Sequence, residues 1–231
     1  TFTNNWIENV GNNQKEISTE NLWPSDNGFF FEISKGVICY GNVFVNCDHG
    51  LMILNSSDAI IFNNTFINSI ACVGRNERSA EGDHFGWHPS TGPNVDERKN
   101  HILLNNIFYN HENFLRPNLF IWQSKKINDL FVNDQIDELN NNLFVSYINE
   151  LPLIYFSAKG NLVPERLKSI DEFKDRLNKS NNNKFILGKN FFKSYELKNF
   201  NLISPVKNDI KKINTIRFGE IKINKQNIGA Y

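Results

Sequence analysis

The sequence predicts an all-β solenoid, a parallel β-helix that carries long inserted loops. Three observations predict it. Asparagine makes up about one residue in six, far above ordinary usage. The phrase Asn-x-apolar-x-Asn/Ser recurs, as NWIEN from Asn5, NVFVN from Asn42, NTFIN from Asn64, NIFYN from Asn106 and NLFVS from Asn142. Those first asparagines are separated by 37, 22, 42 and 36 residues. The uninterrupted step sets the period of a β-solenoid, and the longer steps are the same coil with insertions.

Each unit reads as strand, polar corner, strand, polar corner. Apolar runs precede the phrase in GVICYGN, AIIFNN and HILLNN, and a further strand follows it in HGLMIL (49–54) and IACVG (70–74). Val, Ile, Phe and Thr alternate over four to six residues, which disfavours helices. The asparagines between them adopt left-handed backbone angles easily and suit the corners. Stacked coils would set asparagine over asparagine, amide bonded to amide along the stack.

Insertions of 12–34, 75–98 and 116–135 are expected to follow the third strand of a coil, leave at one corner, and wall a groove on one face. Residues 1–150 thus form the coils, and 151–231 form irregular terminal coils of the same domain. In the latter, SIDEFKDRL has Ser169 as N-cap with Glu172 three residues on, which predicts a short amphipathic helix covering the open end. Strand-like KFILG, NFF, FNLI and GEIKI follow, before the closing NIGAY.

Composition excludes several classes. Lys+Arg 25 against Asp+Glu 25 leaves no net charge to recruit nucleic acid or an anionic membrane. No apolar run reaches the roughly 18 to 20 residues of a membrane span. Cys39, Cys47 and Cys72 have no disulfide-framework or metal-ligand spacing and read as small buried hydrophobes. The opening TFTNNWIENV has no signal-peptide pattern and reads as the middle of a repeat, so an upstream segment is expected.

The Asn-rich coils, the stretch GDHFGWHPSTGPNVDERKNHILLNNIFYN, the helix SIDEFKDRL and the closing NIGAY resemble the C-terminal portion of secreted right-handed parallel β-helix proteins of the pectate-lyase-like superfamily. The resemblance implies a right-handed helix, a place in the extracellular space or cell envelope, and action on a polysaccharide; a monomer is expected. It does not imply one chemistry, because the superfamily includes lyases, glycoside hydrolases, epimerases and members with no assigned chemistry. No cofactor is expected; calcium stays open, but the aspartate cluster that holds it in pectate lyases is not found. The Asp-Asp and Gly-His-Gly phrases of polygalacturonases are missing too.

The candidate chemistry lies in the insertion from Arg75 to Arg98. Hydrolysis of a glycosidic bond needs two carboxyls, for which Asp83 and either Asp96 or Glu97 are candidates. β-Elimination on a uronic-acid polymer needs a cation to neutralise the substrate carboxylate, a base and an acid. Arg75, Arg78 or Arg98 would be the clamp and His84 or His88 the base. The same charges could instead pair with one another and anchor the loop. Trp87, between Gly86 and His88, suits a sugar-ring platform or a core anchor. His49, expected one coil below, and Arg116 and Trp122, one coil above, could extend the groove or pack within the corners. A two-histidine metal grip at His84 and His88 is disfavoured, because Gly86 and Pro89 make the segment a loop.

Overall fold

The computed structural model describes residues 1–11, 26–79, 92–111, 114, 116–147, 154–157, 164–167, 169–176, 182–188, 191–194 and 199–202. Five successive circuits of the chain each contribute three strands. The first circuit is β1 (Phe2–Thr3), β2 (Trp6–Glu8) and β3 (Asn27–Glu32), and the second is β4 (Ile38–Tyr40), β5 (Val43–Val45) and β6 (His49–Leu54). β7 (Ile60–Phe62), β8 (Thr65–Ile67) and β9 (Ile70–Arg75) follow, then β10 (His101–Leu104), β11 (Ile107–Asn110) and β12 (Leu119–Gln123). The fifth is β13 (Ile136–Asn140), β14 (Leu143–Ser146) and β15 (Ile154–Phe156).

These strands stack into three parallel sheets, one strand per circuit in each: β1-β4-β7-β10-β13, β2-β5-β8-β11-β14 and β3-β6-β9-β12-β15. The fold is therefore all-β with regularly stacked parallel sheets, an arrangement compatible with a β-helix. Beyond it, β16 (Glu165–Arg166) pairs antiparallel with β15. A short helix spans Ile170–Arg176, its first turn held by Ser169 Oγ accepting from the Glu172 amide at 3.0 Å. β17 (Lys184–Leu187) stacks on β14, and β18 (Phe192–Ser194) pairs with β19 (Asn199–Leu202). The expected strand GEIKI and the closing NIGAY lie outside the described residues.

The corner between the first and second sheets explains the asparagine spacing. Two residues make each turn. The first takes left-handed φ: Asn4 at 56°, Gly41 at 67°, Asn63 at 52°, Asn105 at 55°, Asn141 at 54° and Asn182 at 56°. Only Gly, and Asn at modest cost, do this routinely. The second is a ladder asparagine, whose side-chain oxygen accepts both the backbone and side-chain N–H of the asparagine one circuit earlier. Side-chain links run from Asn5 to Asn42 (3.0 Å), Asn64 (2.9 Å), Asn106 (3.1 Å), Asn142 (2.9 Å) and Asn183 (3.1 Å). Backbone N–H donation along the same steps spans 2.9 to 3.1 Å. Asn42, Asn64, Asn106 and Asn142 are all fully buried, and their remaining amide hydrogens meet carbonyls of the first sheet. Burial is affordable only with such complete pairing.

Beyond Ser146, Asn183 continues the ladder and β17 the second sheet. Inside, Phe44, Phe66, Phe108, Phe144 and Phe185 form a column of parallel rings with centroids 4.9, 5.1, 4.8 and 5.2 Å apart. That rise is the spacing of adjacent strands, so the rings stack because the backbones do. Parallel sheets are usually covered on both faces, and beyond the first circuit, where Trp6 and Phe30 stay exposed, these largely are. The outward residues Ile60 and Phe62 of the first sheet and Met52, Cys72 and Phe120 of the third are nearly inaccessible. On the second sheet, Phe192 of β18 covers Tyr109 edge-on at 4.8 Å.

The excursions do not share one corner. NGFFFE, expected within the first insertion, is β3 itself, so residues 9–26 precede the third strand of their circuit. FIWQ is likewise within β12, which splits the 116–135 expectation into 111–118 before the strand and 124–135 after it. Long segments thus leave at both ends of the third sheet: 9–26 and 111–118 before its strands, 76–100 and 124–135 after them. The reason is physical, in that the first corner is locked by the ladder and tolerates two residues, whereas either end of the third sheet can open without breaking it.

Candidate functional site

The candidate residues divide between those two ends. His49 and Arg116 belong to the start of the third sheet. His49 opens β6 and is completely buried. Arg116 forms a buried ion pair across two circuits, Nη1 donating to Asp48 Oδ1 at 2.6 Å and Nη2 to the Asp48 carbonyl at 2.5 Å. Its guanidinium also lies 5.9 Å from the Phe114 ring. Both residues are buried in the fold, at the opposite end of the third sheet from the described limbs of the insertion after β9.

At the other end the chain gathers Arg75, Arg78, Asp96, Glu97, Arg98 and Trp122. β9 is buried along its whole length and ends at Arg75. That guanidinium donates from Nε to Gln123 Oε1 at 2.6 Å, and from Nη2 to the Val132 carbonyl at 2.8 Å and Asp134 Oδ1 at 2.9 Å. Nη1 reaches the Arg98 carbonyl at 3.5 Å. Arg75 therefore ties the 124–135 excursion to the 76–100 excursion.

Arg98 performs the matching task within its own excursion. Nη1 donates to Asn55 Oδ1 at 3.0 Å and to the Asn76 carbonyl at 2.7 Å, Nη2 to the Arg78 carbonyl at 2.5 Å, and Nε to the Pro93 carbonyl at 3.2 Å. Residues 76 and 78 belong to the outgoing limb and 93 to the returning one, so one fully buried side chain clasps both. The returning limb passes hard against Ile33, where a β-carbon on Gly92 would come within 2.1 Å of Ile33 Cγ2. Burial pushes both guanidinium pKa values down; Asp134 opposes this for Arg75, while the neighbouring Arg78 and Arg75 charges reinforce it for Arg98. Both remain cations, given how high an arginine titrates. With their donors committed to protein oxygens, Arg75 and Arg98 are poor clamps for a substrate carboxylate.

Arg78 is the accessible cation of the three, one quarter exposed and paired with Glu32 at 2.7 Å. Glu77 accepts from Ser124 Oγ at 2.5 Å, and that bond holds its carboxyl below the usual range. Asp96 and Glu97 are exposed in a short 3-10 turn, Val95–Glu97, where Glu97 Oε2 accepts from the Asn94 amide at 2.8 Å. Glu97 also lies 4.0 Å from Lys35. Trp122 is half-buried on the outer face of β12 beside Met52, Cys72 and Phe120. Asp83, His84, Trp87 and His88 lie outside the described residues.

Several members of this corner had no distinguishing signal in the sequence: Glu32 and Gln123 as strand ends, Glu77, Asp134 and Phe131 within insertions. His101 was hidden inside the apolar phrase HILLNN. It is fully buried at the start of β10, its Nδ1 accepting from the Ala59 amide at 3.3 Å, and burial pushes its pKa down to about 4. The three cysteines are buried free thiols, as expected, with burial raising all three and taking Cys39 to about 12. Among the described residues no group of His, Cys, Asp and Glu is arranged to hold a metal ion, and no helix is long and apolar enough to cross a membrane.

No family model, curated protein or solved structure matches the chain.

Proposed function

We propose that this chain is a right-handed parallel β-helix of the pectate-lyase-like type that acts outside the cell or in its envelope. It binds a polysaccharide beside the end of its third sheet and cleaves it, as a lyase or a glycoside hydrolase. The observation that carries the proposal is the clasp made by Arg98. A buried cation that secures carbonyls on both limbs gives the segment bearing Asp83, His84, Trp87 and His88 a rigid foot, and reactive groups need such a preorganised base. Arg78, held near the surface by Glu32, supplies a cation at the same foot.

The saturation of Arg75, Arg98 and Arg116 favours a second reading, a non-catalytic glycan-binding module. In that case the arginines only shape loops, and the exposed groups grip without reacting.

Three assays on a panel of uronic-acid and neutral polysaccharides separate these readings. Elimination creates an unsaturated, ultraviolet-absorbing end, hydrolysis creates reducing ends without that absorbance, and a binding module retards migration in a glycan gel while producing neither. Under the catalytic reading, His84→Ala or Arg78→Ala abolishes turnover with the fold intact. Near-normal activity in both variants would move the chemistry elsewhere.

A further inference from the structure

The 124–135 excursion begins with a helix, Lys125–Leu130, capped by Ser124, and leaves Leu130, Phe131 and Val132 63%, 37% and 72% exposed. Three consecutive large apolar side chains at a surface require an explanation when Met52, Cys72 and Phe120 on the adjoining outer face are buried. The segment is firmly held. The Phe131 amide donates to the Ile127 carbonyl at 2.8 Å, and the Phe131 carbonyl accepts from Gln123 Nε2 at 3.2 Å. The Val132 carbonyl accepts from Arg75, and Asn133 Nδ2 donates to the carbonyls of Ile121 and Ser157 at 2.9 and 3.2 Å. Arg75 also backs the Phe131 ring, its guanidinium carbon 5.7 Å from the centroid.

Size and surroundings select the occupant. Among the described residues the exposed apolar cluster is these three side chains, far short of the roughly 800 Å² per partner that a stable protein interface buries. Lys125, Lys126, Asp129 and Asp134 stand exposed around them, so the rim carries both signs and does not suit an anionic membrane. A small, rigid apolar spot ringed by hydrogen-bonding groups matches a sugar ring, which is apolar across its face and hydroxylated around its edge. The spot also adjoins the foot of the 76–100 excursion, through Glu77 to Ser124 and Arg75 to the Arg98 carbonyl.

We infer that Phe131 is a sugar-stacking platform at the end of the third sheet, flanked by Leu130 and Val132; this rests on the glycan-binding reading above. Affinity electrophoresis of the full chain against polygalacturonate, alginate, xylan and laminarin identifies the ligand first, and variants are then compared on it. Phe131→Ala and Phe131→Leu are expected to weaken binding about ten-fold, the scale of one aromatic contact. Phe131→Trp stays within about two-fold of the parent, because a flat face is retained. Phe131→Leu keeps an apolar side chain over Arg75 and so guards against a folding artefact, which thermal melting checks. Parent-like binding by Phe131→Leu overturns the platform. If Trp87→Ala weakens binding while Phe131→Leu does not, the glycan reading stands and only the platform falls. If the parent retards on none of the four, the glycan reading fails and takes the platform with it.

Discussion

Replacing Asn106 by alanine tests the ladder at its most enclosed point. The side chain is fully buried, and its oxygen accepts from the Asn64 backbone at 3.0 Å and from Asn64 Nδ2 at 3.1 Å. Its own amide donates to the Ile61 carbonyl at 3.0 Å and to Asn142 Oδ1 at 2.9 Å. Alanine removes all four bonds. Asn64 Nδ2 keeps the Cys39 and Phe62 carbonyls, and Asn142 Oδ1 keeps the Asn106 backbone N–H, so those partners are only weakened. The Asn64 backbone N–H has no such reserve and becomes a buried orphan. An orphaned buried donor costs about 1 to 3 kcal/mol and each of the three lost compensated bonds about 0.5 to 1.5 kcal/mol, giving roughly 2.5 to 7.5 kcal/mol in all. For a chain of this length that lowers the melting temperature by roughly 5 to 30 °C. Denaturant unfolding at constant m-value measures it. Asn5→Ala is the control: it loses donations to the Thr3 carbonyl and Asn42 Oδ1 but orphans no described backbone N–H, so about 1 kcal/mol is expected. Equal destabilisation by the two variants would refute the claim that the ladder, rather than strand pairing alone, holds the corner.

Three other outcomes follow from the buried polar groups. His101 has a folded pKa of about 4 against 6.5 unfolded, so the unfolded chain takes up the proton first. Its neutral form gives full stability above pH 6.5, and about 3 kcal/mol is lost as pH falls from 6.5 to 4; His101→Gln should flatten unfolding free energy over that window. Breaking the buried pair by Asp48→Ala leaves Arg116 charged and unpaired, and about 3 to 5 kcal/mol of destabilisation is expected in urea. Removing both charges with Asp48→Leu and Arg116→Met should recover most of it. Because burial raises the pKa of all three thiols, native protein should react with a thiol reagent only as fast as it unfolds, whereas rapid labelling of Cys72 would show that β9 is open.

What could be read from the sequence tracked what repeats. The asparagines at 5, 42, 64, 106 and 142 were visible because each must follow a left-handed residue and complete the same buried hydrogen-bond set, so the constraint leaves a mark in every circuit. Asn183 obeys that rule but sits behind Asn181 and Asn182 after a long unpatterned stretch, and it was missed. The excursion boundaries were misjudged for a different reason. NGFFFE has no flanking asparagine pair, and an apolar run at the edge of an insertion does not declare on which side of the insertion it pairs; only registration of Phe30 with Met52 decides it. The site was least legible, because Arg75, Arg98 and Arg116 have the composition of a reactive loop whether their donors face solvent or carbonyls.

That last ambiguity has a structural resolution. A solenoid leaves only its corners free to vary, and a long excursion there has no sheet of its own to satisfy its peptide groups. Its limbs need donors that reach several carbonyls at once, and the planar guanidinium, with five N–H groups in a fixed fork, is the side chain suited to that. Arg98 spans residues 76, 78 and 93, and Arg75 spans 98, 132 and 134. Arginines at the two ends of an insertion are therefore first expected to be its fastenings. Chemistry is better sought in the residues they present, such as Arg78, whose partner Glu32 shares its exposure. The clasp and the accessible cation consequently differ in what substitution does: Arg98→Lys should loosen the excursion and change proteolysis there, whereas Arg78→Lys should leave proteolysis unaltered and, on the proposed function, act on ligand alone.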